Sequence, residues 1–262
     1  MIENGKILNK RKYPSPNPNI ELFEIIYWSE GLRVKGLLAK PKGEGEFEAL
    51  LYLRGGLQSV GMVRPSRIAQ FASQGFIVFA PYYRGNRGGE GRDEFGGNDR
   101  LDALSGLKLL KNIANVKSVH LFGFSRGGLM ALWTAILSND VSSVVTWAGV
   151  SDLTMIYNER VDLRRTLKRI IGGSPNKYPE IYVERSPIYE IDRISAPVLI
   201  IHGNKDTNVS IDHSFALERA LKEESKEVET WYMSSLAHHY PPKINRKTVR
   251  SICNWMREKG KL

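Results

Sequence analysis

The residues best placed for chemistry are Gly123-Phe124-Ser125-Arg126-Gly127. The apolar run Ser118-Val119-His120-Leu121-Phe122 precedes them, and the stretch from Gly128 to Leu137 that follows reads as a helix. Strand, glycine-flanked turn with serine at its tip, then helix is the arrangement that presents a serine nucleophile. The turn is strained and its neighbours pack closely, which is why it needs glycine. The helix N-terminus behind the serine favours developing negative charge. A Gly-x-Ser-x-Gly match also arises by accident in a chain with 24 glycines; the strand before it and the helix after it carry the weight. The chemistry implied is acyl transfer to a hydroxyl.

A serine hydroxyl needs an adjacent base, and the base needs a carboxylate to fix its tautomer. For a nucleophile on such a turn, the acid and then the histidine follow in chain order. That order sorts the five histidines. His120 precedes the serine inside an apolar strand and reads as a core residue. His202 ends the strand Pro197 to Ile201, ahead of the acid. His213 falls in a helix and is expected at the surface. His238 and His239 lie after the last strand, and His238 is the preferred base. Asp206, in His202-Gly203-Asn204-Lys205-Asp206, is the expected acid, since loops at the carboxyl ends of parallel strands hold the chemistry of open sheets. Asp152 is the second candidate, with a plainer role as a helix N-cap.

A tetrahedral intermediate also needs donors for its oxyanion. The backbone N–H of Arg126 is one. The second is expected from Arg54-Gly55-Gly56-Leu57, at Gly56, with Leu57 as the alternative. Arg54, Tyr83, Trp147 and Tyr240 are candidate substrate contacts. Arg54, Arg84, Arg87, Arg92 and Arg126 could together hold an anion, since guanidinium forks match carboxylates and phosphates. Against that stands the plainer pairing of Arg84 with Asp99 or Asp102.

The elements that must position these groups alternate. Residues 1–19 read as an irregular leader, because Pro14, Pro16 and Pro18 forbid a helix. Glu21 to Trp28 and Leu32 to Ala39 form a strand pair turning at Glu30-Gly31. Strands are expected at Phe47 to Leu53, Phe76 to Ala80, Lys117 to Phe122, Val141 to Trp147, Pro197 to Ile201 and Val228 to Tyr232. Helices are expected at Arg64 to Gln74, Arg100 to Ile113, Ile156 to Ile171, Ile211 to Glu224 and Arg246 to Glu258. Short apolar strands between helices imply a mostly parallel sheet covered on both faces. The stretch of about 151–192 is long for one crossover and reads as a small lid insertion. The whole chain, 1–262, is read as one domain.

Composition narrows the classes. An apolar fraction of 42% suits a soluble core. No run has transmembrane length, and no secretory pattern follows the basic N-terminus. Cytoplasmic residence is the default expectation. The single cysteine, Cys253, fits a buried helix face and excludes an internal disulfide framework. The net charge of +10 is scattered rather than clustered, so neither nucleic acid nor a membrane is expected as a partner. The basic run Arg160, Arg164, Arg165, Lys168 and Arg169 reads as a solvated face. No metal or cofactor is expected; homo-oligomer formation stays open.

Together these segments resemble the catalytic domain of the prolyl oligopeptidase family of α/β-hydrolases. The resemblance covers about Ala49 to the C-terminus. It rests on Pro81-Tyr82-Tyr83-Arg84-Gly85-Asn86-Arg87-Gly88-Gly89, the acidic helix start Asp99 to Leu104, the elbow, Ser186-Pro187, the segment Ala196 to Asp206 with Val209, and Leu236-Ala237-His238-His239-Tyr240. It implies an α/β-hydrolase fold: a mostly parallel twisted sheet with an antiparallel N-terminal edge, helices on both faces and the lid. Aligning the last loop supports His238. Three departures stand out. About forty residues precede the third strand, so the β-propeller of the large peptidases is not expected. The acidic residues that propeller supplies for binding a peptide's amino terminus cannot be carried over. Arg54-Gly55 stands where the family has His-Gly. The expected function is a serine hydrolase acting through an acyl-enzyme on a carboxylic ester or a short peptide amide, with small soluble esters favoured. The alternatives are a binding or regulatory protein of the same fold and, on charge alone, a nucleic-acid binder.

Overall fold

A computed structural model describes residues 2–260. All nine strands of the described residues lie in one sheet, in the order β1-β2-β3-β5-β4-β6-β7-β8-β9. The parallel members are the short apolar runs: β4 (Phe47–Leu53), β5 (Phe76–Pro81), β6 (Val116–Phe124), β7 (Ser143–Trp147), β8 (Val198–Gly203) and β9 (Val228–Met233). Every residue of β5, β7 and β8 is buried, as a strand covered on both faces requires. The antiparallel edge is β2 (Ile20–Ser29) and β3 (Leu32–Pro41), turning at Glu30-Gly31, both with positive φ.

One expectation fails at the edge. The N-terminal segment is not wholly irregular, because Ile7–Tyr13 forms β1, paired antiparallel with β2. Its side chains are almost all exposed, so it carries no apolar alternation for a sequence reading to detect.

Helices cover the two faces. On one, α1 (Pro65–Ala72) and α8 (Pro242–Lys259) bury Ile68, Phe71, Ile252, Trp255 and Cys253 against the sheet. Burial pushes the Cys253 thiol up to about 12, so it is an inert core residue as expected. On the other face lie α2 (Arg100–Lys111), α3 (Arg126–Leu137) and α7 (Asp212–Glu223).

The stretch expected as one helix from Ile156 to Ile171 is broken. Helix α4 (Leu153–Glu159) ends at Arg160 (φ −104°, ψ 82°), a 3-10 turn spans Val161–Leu163, and α5 is Arg164–Ile171. Arg160 is held out of line by hydrogen bonds to Asp162 and to the Asn208 carbonyl. Ile156, Leu167 and Ile171 are all buried despite the break, so apolar spacing alone does not reveal it. Helix α6 (Pro179–Glu184) and a 3-10 segment, Pro187–Arg193, complete the stretch between β7 and β8.

Topology sets the site. From β4 the chain crosses through α1 to β5 on one side; from β6 it crosses through α3 to β7 on the other. The loops leaving β4 and β6 therefore diverge, and a crevice opens between two paired strands at their carboxyl ends.

Candidate active site

Ser125 sits in that crevice at φ 56°, ψ −125°, a conformation that costs a non-glycine residue about 1–3 kcal/mol. The turn is over-determined by its surroundings. Its N–H donates to the Trp147 carbonyl at 3.0 Å, and its carbonyl accepts from Gly128 at 2.9 Å and Val150 at 3.0 Å. A Cβ on Gly123 would lie 2.1 Å from the Gly127 carbonyl oxygen, and one on Gly127 would lie 2.0 Å from that of Leu53. Only glycine fits where strand, turn and neighbouring strand approach so closely. The Ser125 hydroxyl does not cap α3, which leaves it free for other partners.

Asp206 and His238 come together. Nδ1 of His238 and Oδ2 of Asp206 are 2.7 Å apart, both side chains almost wholly buried. The other carboxylate oxygen accepts from the backbone of Asn208 at 2.8 Å and Val209 at 3.1 Å. Burial alone would raise the Asp206 carboxyl, but hydrogen bonds from His202, His238 and the Val209 N–H hold it well below the usual carboxylate range. The loop after β9 reaches this point by folding back over β8. Lys205 N–H donates to the Leu236 carbonyl at 2.9 Å, and a Cβ on Gly203 would lie 2.2 Å from that oxygen. The His238 ring then packs on Phe124, centroids 4.8 Å apart, next to Ser125 in the chain. No hydrogen bond joins Ser125 to His238 among the described residues; the contact between their segments is through Phe124.

The β4 loop lies against the nucleophile. A Cβ on Gly55 would lie 2.8 Å from Ser125 Cβ and 3.4 Å from its Oγ. The N–H groups of Gly56 and Arg126 have no protein acceptor among the described residues. The arginines around them are structural rather than available. Arg54 is 1% exposed and donates to the carbonyls of Tyr82, Gly55 and Val60 and to Asp93. Arg126 donates to the Gly56 carbonyl at 3.0 Å and pairs with Asp93 and Asp99. Although burial opposes it, Arg126 and Arg54 lower the Asp93 carboxyl to about 2. Arg84 pairs with Asp102, the plainer of the two expected roles.

The four expected substrate contacts need correction. Arg54 is not open to substrate, because its donors are spent on the loop. Tyr83 is fully buried and its hydroxyl donates to the Arg54 carbonyl. Trp147 and Tyr240 pack ring to ring at 4.7 Å within the core under α1 and α8. The aromatic surface left beside Ser125 is half-buried Phe124, with exposed His239 stacked on it at 5.3 Å.

The remaining candidates sort by contact. Asp152 caps α4, accepting from Thr154 and Met155. His120 is buried with Nδ1 2.8 Å from Ser143 Oγ. His213, expected at the surface, is fully buried, with Ser151 at 3.2 Å from Nδ1 and Glu159 at 3.2 Å from Nε2. The residues that a reading of the sequence missed are His202, which also contacts Asp206, and Asp93, which braces both arginines. His202 lies four positions before the acid at a strand end, a spacing that could have flagged it.

Fold and crevice define an α/β-hydrolase. Residues 62–261 match the prolyl oligopeptidase family, and the chain belongs to that family. It is thereby a serine hydrolase, of peptidase or esterase type. The chain is 56% identical to Uncharacterized peptidase YtmA of Bacillus subtilis (strain 168), over 97% of its own length and all of that protein. Among solved structures it resembles Pyrococcus horikoshii acylaminoacyl peptidase, with a TM-score of 0.79 at 21% identity, over 93% of this chain and 42% of that one. It also resembles Acetyl Xylan Esterase 1 from Thermoanaerobacterium sp. JW/SL YS485, with a TM-score of 0.73 at 17% identity, over 95% of this chain and 87% of that one. At such identities these structures speak for the fold. No helix among the described residues is long and apolar enough to cross a membrane.

Proposed function

We propose that the chain hydrolyses small carboxylic esters and short peptide or related amides through an acyl-enzyme on Ser125. The observation that carries this is the 2.7 Å pairing of His238 Nδ1 with Asp206 beside the strained serine turn. With Nδ1 engaged by the carboxylate, Nε2 is the nitrogen left to act as base. Ser125 Oγ attacks the carbonyl carbon as His238 accepts its proton. The oxyanion is met by the N–H groups of Arg126 and Gly56, each worth about 3 kcal/mol to the transition state. His238 then protonates the leaving alcohol or amine. Water, deprotonated by the same imidazole, attacks the acyl-enzyme, and the acid departs as Ser125 regains its proton.

Arg54 and Arg126 support the oxyanion loop in this reading. Substrate is recognised by the open surface around Phe124 and His239. The similar proteins, a peptidase, an acylaminoacyl peptidase and an acetyl xylan esterase, span the two bond types proposed.

The test is turnover of p-nitrophenyl acetate by wild type and Ser125→Ala, together with fluorophosphonate labelling. The variant is expected to lose roughly 1,000-fold or more in kcat and all labelling. Equal rates would remove Ser125 from the reaction. Folded wild-type protein that neither turns over nor labels would be a binding or regulatory protein instead.

A further inference from the structure

Asp206 lies between two imidazoles, and the proposed reaction uses one of them. His202, in β8, is fully buried. Its Nε2 lies 3.0 Å from the Val209 carbonyl oxygen and 3.2 Å from Asp206 Oδ2. Both neighbours are acceptors, so Nε2 carries a hydrogen. Its Nδ1 lies 2.6 Å from Ser214 Oγ on α7, a hydroxyl that can donate to it. Ser214 thus fixes the ring from behind, and the Nε2–H, hydrogen-bonded to the Val209 carbonyl, lies 3.2 Å from the carboxylate oxygen.

We propose that His202 is a positioning residue of the hydrolytic site, holding the Asp206 carboxylate in the orientation that His238 requires. Four N–H groups then surround that carboxylate. Asn208 and Val209 donate to Oδ1, His238 Nδ1 pairs with Oδ2 at 2.7 Å, and His202 Nε2 lies 3.2 Å from the same oxygen. The backbone pair fixes one oxygen and leaves rotation about it as the remaining freedom. His202, packed 3.2 Å from the second oxygen, limits that freedom. It also stabilises the ionised carboxylate at a place from which water is excluded, where an anion with few donors would take up a proton.

Other ionisable groups nearby are committed elsewhere. Tyr232 on β9 donates to Glu218 at 2.7 Å, and His213 faces Ser151 and Glu159. Arg160 reaches the Asn208 carbonyl and Asp162. His202 is therefore the side chain, besides His238, that bears directly on Asp206.

The inference rests on Asp206 acting as proposed above, and the experiment separates the two. Rates with p-nitrophenyl acetate are measured against pH for wild type, His202→Leu, His202→Gln, Ser214→Ala and Asp206→Asn, each normalised to folded protein. His202→Leu is expected to lower kcat about 10- to 100-fold with KM little changed, the usual loss on removing a partner that orients a functional group. Its acid limb should move to higher pH. With one donor gone, Asp206 holds a proton more tightly, and a more basic carboxylate also keeps His238 protonated longer. His202→Gln places an amide N–H near the lost Nε2 and should recover most of both losses. Ser214→Ala, which frees the ring, should shift the limb in the same direction by less.

A folded His202→Leu with wild-type kcat and an unmoved limb overturns the inference. So does an equal loss in the Leu and Gln variants without a shift, which is packing alone. Should His202→Leu not fold, an unmoved limb in Ser214→Ala overturns it. If Asp206→Asn itself keeps full activity, the proposed function fails instead.

Discussion

At the scale of single residues, the site depends on how one carboxylate is kept ionised and aimed. Asp206→Asn is expected to lower kcat about 10,000-fold, the loss known where the same substitution gives the catalytic histidine the wrong tautomer. Burst kinetics with a chromogenic ester would measure it. The pairing of Asp206 with His238 was legible because chain order and strand ends sort the candidates, leaving few. Arg54 and Tyr83 were not. An arginine at a strand end looks the same in sequence whether it meets a ligand or a main-chain carbonyl. Its carboxylate, Asp93, lies 39 positions away, at a separation no local pattern encodes. His213 misled for a related reason. Its position near the start of α7 carries no apolar signal, and its burial comes from Ser151 and Glu159.

At the scale of elements, close backbone approach explains how three loops meet. The return of the chain after β9 over β8 needs Gly203 to have no side chain. Gly203→Ala is expected to push the 236–240 loop outward and lower kcat by up to about 100-fold, as small misplacements of reacting groups do. A parallel thermal melt would show whether the fold survives. The buried ions make a second prediction. Arg126→Met leaves Asp93 and Asp99 without their shared partner in a dry site, and breaking such a cluster costs about 3–5 kcal/mol. Urea unfolding would measure it. The parallel strands were legible because burial on both faces gives short, unbroken apolar runs. The break at Arg160 was not, because Ile156, Leu167 and Ile171 are buried on either side of it and their spacing still fits a single helix.

For the whole molecule, two effects act on stability against pH. Asp206 and Asp93 are held below their ordinary range, so their stabilising share is complete above the unfolded value of about 4 and is lost as pH falls through the folded values. Asp99 is raised by burial, which outweighs Arg126, so its share has the opposite sign and fades as pH rises above about 4. Urea midpoints measured across the acid range should drop steeply below about pH 4, and Asp99→Asn should flatten the slope just above it. The sheet leaves one more mark at this scale. β1 ends the strand order with no neighbour on its outer side among the described residues. A bare strand rim is a template on which another chain can crystallise into a longer ribbon. Here the rim carries Lys10, Arg11 and Lys12 and a register slip between Ile7 and Asn9. Two such rims brought together would repel through their ammonium and guanidinium groups. That insulation is electrical, so it fades as ionic strength shortens the Debye length below about 10 Å. Light scattering should find particles growing with added salt, and sooner when those three cations are exchanged for threonine.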